Sequence, residues 1–397
     1  MRASSVAGWS ILAVGTHAAI LAAPLLGLGQ FGQFGIAAFH DVRIYFDYGS
    51  RVLAGGVPYR DYPVEYPPLA LILFVLPRLA ASRFVPYPML FAAEMLTFDA
   101  AAVALLARRT AAREGAREVP LRLAWYTAAF GALYPVIGTR YDLAPAVIAF
   151  AGALAWFGER PAAGGLLTAA GTLLKIFPAV VAALGAIADL RAARTARAVL
   201  IFAGAMLAAG AAWFVHGGAA SVMYHIGRGL QIETVWAGAL LLADKALGVT
   251  PAWRYSRMSV ELVAPGSSSF AALAIPAQVA LAGAVVWRFA RSELGDPLRY
   301  ATAAVLALVV AGKVLSPQYL IWLLPFVSAL SGPAGRSARP LFLAACVATG
   351  VEYMASRQLA AFELWAILAL NVRNALLVAL LIPLLRRPPE PEAARSE

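Results

Sequence analysis

AGWSILAVGTHAAILAAPLLGL, residues 7–28, holds a single ionisable side chain, His17, and stands behind Arg2. Its apolar length exceeds the roughly 7 to 15 residues of a secretory signal core, and further apolar runs follow as far as Leu385, so it reads as a retained first transmembrane helix. About 20 apolar residues cross the hydrocarbon core as a helix, and every backbone amide there must bond within its own segment. An all-α polytopic membrane protein is therefore expected, as one domain over residues 1–385 with a cytoplasmic tail at 386–397.

The composition agrees. Of 397 residues, 61% are hydrophobic and 13% charged, with a mean hydropathy of +0.75, against about 25% charged in ordinary soluble domains. The net charge of +11 comes from short clusters between apolar runs rather than from one interleaved patch, which excludes nucleic acid as the expected partner. The single cysteine, Cys346, excludes an intramolecular disulfide and a cysteine metal cluster. His216 and His225 lack metal-ligand spacing, so no metal is expected.

The basic clusters set the topology. They are Arg108, Arg109, Arg113, Arg117 and Arg122; Arg191, Arg194 and Arg197; Arg288, Arg291 and Arg299; Arg336 and Arg339; and Arg386 and Arg387. The positive-inside rule puts all five on the cytoplasmic side of a plasma membrane. Between the first two clusters, Leu123–Gly138, Leu143–Phe157, Ala163–Leu174 and Phe177–Ile187 form two hairpins. Beyond them the spans are Ala198–Val215, Phe270–Trp287, Leu298–Ala311, Tyr319–Leu330, Leu341–Tyr353 and Leu364–Leu385. Before Arg108, parity forbids one of two runs from spanning. Pro67–Leu79, short and bracketed by prolines, is expected along the outer interface, whereas Pro86–Leu106 crosses. Twelve spans with both termini cytoplasmic follow. Residues 31–87 become a first outer loop and 216–269 a second, in which Val235–Leu247 is re-entrant or flat on the membrane. Gly335–Pro340 reads as a cytoplasmic turn.

Polar residues that are not topology signals then gather on one side. Residues 40–68 hold four acids, three arginines and five tyrosines, among them Asp41, Arg43, Tyr45, Tyr59, Glu65 and Tyr66. Arg140, Tyr141 and Asp142 occupy one hairpin tip and Lys175 another. Arg228, Gln231 and Glu233 lie in the second loop; Lys313, Ser316, Gln318 and Tyr319 lie in a third. Ionisable groups at the membrane boundary are costly unless paired or functional. An isolated Asp41 would read as a helix cap or a partner of Arg43; the density around it favours a site. Tyr59, Tyr62 and Tyr66 read equally as interfacial belt aromatics or as sugar platforms. Arg140 beside Asp142 reads first as a local ion pair. Lys175, one of three lysines among 32 basic residues, favours a phosphate over snorkelling. Glu94 and Asp99 fall inside the second span, where a buried pair with an arginine would satisfy them. His17 and Cys346 read as core residues.

The pattern Asp41-x-x-x-Tyr45, Gly55-Gly56-x-Pro58-Tyr59 and Glu65-Tyr66-Pro67-Pro68 resembles the membrane glycosyltransferases of the GT-C superfamily. It is most similar to glycosyltransferase family 87, the polyprenol-phosphate-mannose-dependent mannosyltransferases, over nearly the whole chain. The resemblance implies an essential Asp in the first outer loop, falling on Asp41, with juxtamembrane helices behind it and a lysine before a proline falling on Lys175. Where the family often carries a glutamine and an asparagine, this chain has Arg140 and Asp142, and Ser316-Pro317-Gln318-Tyr319 replaces a histidine-bearing motif.

The expected activity is inverting transfer of a hexose or pentose from a polyprenyl-phosphate-linked donor to a lipid or glycan acceptor, without a separate cofactor. Asp41 would be the base, and Lys175 with Arg228 or Lys313 would hold the leaving phosphate. Arg43, Tyr45, Tyr59, Glu65, Tyr66, Arg140, Asp142, Gln231, Glu233, Gln318 and Tyr319 complete the expected binding set. A transporter or flippase is the alternative, although no internal repeat is visible. A non-catalytic envelope-assembly partner is another.

Overall fold

The computed structural model describes residues 3–26, 39–292 and 296–386. The start of the expected first outer loop, residues 31–38, and the tail beyond Arg386 lie outside the described residues. The chain begins with α1 (Ala3–Ala22), then two helices of the first loop, α2 (His40–Leu53) and α3 (Ala70–Ala80). The long α4 (Tyr87–Glu114) is followed by α5 (Val119–Ala132), the single turn α6 (Tyr134–Ile137), α7 (Leu143–Phe157), α8 (Pro161–Leu174), α9 (Ala179–Arg191) and α10 (Arg197–Val215). The second loop carries α11 (Ala219–Ile226), α12 (Val235–Leu247) and a hairpin of β1 (Ala252–Ser256) and β2 (Ser259–Val263). The chain ends with α13 (Ser267–Arg291), α14 (Pro297–Ala311), α15 (Leu320–Ser328), α16 (Gly332–Met354), the short α17 (Ser356–Ala360) and α18 (Leu364–Leu385).

Five described helices, or segments of them, are long and apolar enough to cross a membrane: Ser5–Ala22, Tyr87–Glu114, Arg197–Val215, Ser267–Arg291 and Leu364–Leu385. Their exposure points to the solvent they meet. Of α10, only Ala198 is buried, while Leu200 and Leu207 are 68% and 75% exposed. A helix apolar all round and not covered by protein is stable in lipid rather than in water. The chain is thus a mostly helical, membrane-embedded protein.

Close helix packing is made by small residues. A Cβ on Gly164 would stand 2.4 Å from the Trp156 amide nitrogen, and one on Gly152 would stand 2.7 Å from Thr168 Oγ1. Glycine therefore lets α7 and α8 run backbone to backbone, gaining dispersion where lipid removes the hydrophobic drive between helices. α1, α4 and α5 are joined by a polar staple: His17 Nδ1 meets Asp99 Oδ2 at 2.7 Å, Tyr126 donates to Asp99 Oδ1 at 2.9 Å and His17 Nε2 meets Thr127 Oγ1 at 2.9 Å. Asp99 is thus satisfied by a histidine and a tyrosine and not by an arginine. The carboxylate of Glu94 is buried without a hydrogen-bond partner.

The basic clusters meet at one end of the bundle. Arg109 donates to Asp296 at 2.9 Å and to the Ala329 carbonyl at 3.4 Å. Arg122 and Arg339 both donate to the Leu330 carbonyl at 2.7 Å. Arg191 donates to the Phe289 carbonyl at 2.7 Å, and Arg299 to that of Arg386 at 3.2 Å.

Two expectations need correction. Gly335–Pro340 is no turn but part of α16; Pro340 sits within a helix already under way, and Pro333 occupies its first turn, where no intrahelical donor is lost. The fold is not purely helical, because β1 and β2 pair antiparallel with Ala252 opposite Val263. Arg257 and Met258 between them both take positive φ, 47° and 56°, as a two-residue hairpin turn of matching twist requires. Val235–Leu247 is a capped helix, with Thr234 Oγ1 accepting from Ala237 N at 3.0 Å. It is docked on α18, where Asn371 donates to the Gly238 carbonyl at 3.0 Å.

Candidate functional site

α2 explains how Asp41 is placed. Its buried residues Val42, Tyr45 and Gly49 recur every three or four positions, so one stripe faces the protein and the charged residues fall outside it. Gly49 permits the contact with α3, since a Cβ there would stand 2.5 Å from the Phe74 carbonyl oxygen. Tyr45 stacks on Phe74 with ring centroids 4.3 Å apart. With α2 fixed in this way, Asp41 in its first turn reaches the hairpin tip that precedes α7.

Arg140 Nε lies 2.7 Å from Asp41 Oδ2, and Lys175 Nζ lies 2.5 Å from Asp142 Oδ1. The expected Arg140–Asp142 pair is therefore replaced by a crossed arrangement. Neighbours in sequence turn to different partners because Asp142, 1% exposed in its side chain, points inward, where it also accepts from Trp322 Nε1 at 2.6 Å. Lys175 is boxed by aromatic faces, with Nζ 4.8 Å from the Tyr141 ring centroid, 5.4 Å from that of Trp322 and 5.7 Å from that of Tyr319. Burial lowers the Lys175 pKa from its ordinary value, and Asp142 opposes that shift. For Arg140, burial works most strongly against the charge, but the Asp41 carboxylate together with Tyr353, Tyr45 and Tyr66 offsets it and the net shift is upward.

Three cavities meet here. A polar one of about 240 Å³ is lined by Asp41, Tyr66, Lys175, Arg228, Gln318 and Tyr319, among others. It shares Glu65, Phe177, His225 and Trp322 with a larger, mostly apolar cavity of about 550 Å³ that reaches Trp213, Val222, Ile275 and Leu308. A third, of about 400 Å³, shares Glu65 with both. His225 donates from Nε2 to the Glu65 carbonyl at 2.7 Å. Burial lowers its pKa, opposed by the bond to the Glu65 carbonyl.

The remaining expected residues divide. Glu65 lines all three cavities, and its carboxylate accepts from the Tyr48 hydroxyl. Lys313 lines the apolar cavity, its ammonium donating to the carbonyls of Ile226 at 2.6 Å and Arg228 at 2.9 Å. Arg228 donates to the Arg257 carbonyl at 2.8 Å. Tyr59 lines the third cavity and donates to the Tyr66 carbonyl at 2.7 Å. Tyr45 is buried in the aromatic packing behind Asp41 and lines none of the three cavities.

Arg43 is not a partner of Asp41. It pairs with Asp47 at 3.5 Å and stacks 4.8 Å over Phe84, because the i,i+4 spacing puts it on the outward face of α2. Gln231 and Glu233 stand behind the site rather than in it. The Gln231 amide contacts Glu233, and its Oε1 accepts from Leu315 N at 3.0 Å, so the pair braces the loop that leads to Gln318. Burial, then the neighbouring Glu352, pushes the Glu233 carboxyl up to about 8.

Sequence reasoning passed over Trp322, Phe177 and His225. The aromatic pair is stacked at 4.4 Å, and both residues lie in apolar runs, where nothing separates them from core. His225 was weighed only as a metal ligand. A scan of the chain against family models finds no match, and a search of curated proteins finds none either.

Proposed function

We propose that the chain transfers a sugar from a polyprenyl-phosphate-linked donor to an acceptor hydroxyl at the outer membrane face. The reading takes the expected twelve spans as a membrane domain with both termini cytoplasmic, similar to the GT-C glycosyltransferases. One observation carries it: an apolar cavity of about 550 Å³ opens into a polar one where a carboxylate and an ammonium stand together. A lipid phosphate has the same two-part chemistry, a hydrocarbon tail and an anionic head.

In this reading the isoprenoid tail occupies the groove past Ile275 and Leu308, and the phosphate reaches Lys175 with Arg228 at the rim. The acceptor oxygen attacks the anomeric carbon from the face opposite the phosphate and the carbon–oxygen bond to phosphate breaks. Asp41 takes the hydroxyl proton, and the bonding pair leaves with the lipid phosphate, whose charge the cations balance. Arg140 positions Asp41 for this step. No covalent enzyme intermediate is needed, because phosphate is already a competent leaving group.

The test is incubation of purified protein in nanodiscs with radiolabelled polyprenyl-phosphate sugars and glycan or lipid acceptors. Label should move to an acceptor and stop moving in Asp41→Asn. A protein that moves labelled lipid between leaflets without breaking the sugar–phosphate bond would replace the reading with a flippase.

A further inference from the structure

We infer that the third cavity seats an uncharged sugar ring of the acceptor, held among Tyr48, Tyr59 and Tyr224 and delivered past Glu65 to Asp41. This rests on the transferase reading and names the class of acceptor it uses.

Position is the first argument. The cavity shares Glu65 and Met258 with the polar cavity, and its lining includes His40, the residue before Asp41. A molecule in it therefore lies next to the carboxylate without entering the Ile275 and Leu308 end of the apolar groove.

Charge is the second. The polar cavity has Lys175 and Arg228 in its wall. Among the described residues lining the third cavity there is no lysine or arginine, and Glu65 is its carboxylate. A phosphate placed there would face a like charge, with Arg228 set outside the wall, 5.6 Å over the Tyr224 ring, whereas neutral hydroxyls can donate to Glu65. The two cavities thus sort an anionic donor from an uncharged acceptor.

Pre-organisation is the third. Tyr59 holds a left-handed φ of 68°, a conformation costly for an aromatic residue and found where surroundings impose it. Its hydroxyl is fixed on the Tyr66 carbonyl, and Gly217, itself at φ 95°, packs so close that a Cβ would stand 2.9 Å from the Tyr59 carbonyl oxygen. Tyr48 is tied to Glu65. Fixed aromatic faces beside a hydrogen-bonding carboxylate suit a pyranose or furanose ring, apolar on its C–H face and polar at its edge. The volume of about 400 Å³ falls within the ~300–1,000 Å³ usual for small-ligand sites.

Saturation-transfer NMR on the full chain in nanodiscs, using methyl glycosides of mannose, glucose, galactose and arabinose, tests this directly, with mannose 6-phosphate as the charged probe. At least one neutral glycoside should bind and mannose 6-phosphate should bind less. Tyr224→Ala should weaken binding roughly fivefold to tenfold. Ala220→Trp, at an exposed position on the cavity wall, should abolish it while leaving polyprenyl-phosphate affinity unchanged. The inference is overturned if no neutral glycoside binds, if Ala220→Trp binds as the parent does, or if the phosphorylated sugar binds best. Saccharide binding that Ala220→Trp removes, in a protein that transfers nothing from any polyprenyl-phosphate sugar, would uphold the saccharide site and overturn the transferase reading alone.

Discussion

Replacing Lys175 by methionine leaves the Asp142 carboxylate, 1% exposed, without the ammonium that stands 2.5 Å away. At that separation the gross attraction is about 7 kcal/mol for an effective dielectric of about 20. Much of this is offset by desolvating the ammonium, and losing one partner of a buried pair costs about 3–5 kcal/mol. Lys175→Met should therefore lower stability by about 3 kcal/mol. Adding Asp142→Asn should restore most of that, because the amide oxygen can keep the Trp322 bond and no charge is stranded. Cys346, the chain's one cysteine, is buried, so thiol-dye melting in detergent reads unfolding directly.

Phosphate affinity should follow a different order. Losing a charge-assisted hydrogen bond costs about 1.5–3 kcal/mol, or roughly ten- to a hundredfold in Kd. The double variant should bind a polyprenyl monophosphate that much more weakly than Asp142→Asn alone. Equal affinity of those two proteins would show that Lys175 only neutralises Asp142, and the phosphate role would be lost. Wild-type melting of Lys175→Met would refute the account of the pair itself.

Asp41→Asn should cut turnover by about 10²–10⁴ while leaving polyprenyl-phosphate affinity unchanged, since Lys175 and Arg228 are untouched; near-normal turnover in the reconstituted assay removes Asp41 as base. Because burial, opposed by Asp142, lowers the Lys175 pKa, phosphate affinity should fall on the alkaline side at a pH below the ordinary lysine value of 10.5. Lys175→Arg should move that limb upward in a binding titration. The stability sign is separate: the unfolded chain binds this proton more tightly, so the Lys175 contribution rises with pH between the folded value and 10.5, as denaturation at several pH values would register. Gly164→Val should destabilise by about 3 kcal/mol through overpacking, as the added Cβ meets Trp156 backbone at 2.4 Å. Gly8→Val, which meets nothing within 4 Å, is the control in the same melting assay.

Helices were legible because lipid simplifies their code. Leu364–Leu385 was bounded to the residue by its apolar run and the arginines after it, and the arginine clusters do converge on one end. Gly335–Pro340 was misread because glycine and proline signal turns only where they are not absorbed into a helix's first turns. The β-hairpin was missed because Arg257 and Met258 adopt a turn that glycine or asparagine usually announces. Within the site, the residue types were visible but their pairing was not. Arg140 and Asp142 are two apart, and sequence offers no rule for side chains that leave a hairpin tip in different directions. Gln231 and Glu233 were drawn into the expected site by their polarity alone, whereas three-dimensional packing makes them a brace.

Asp41 with Arg140, and Asp142 with Lys175, sum to no net charge at a place where side-chain exposure ranges from 1% to 21%. A lone ion beside the oily groove would draw water in to solvate it. In the transferase reading, the balanced quartet would let the vestibule stand open to hydrocarbon without flooding.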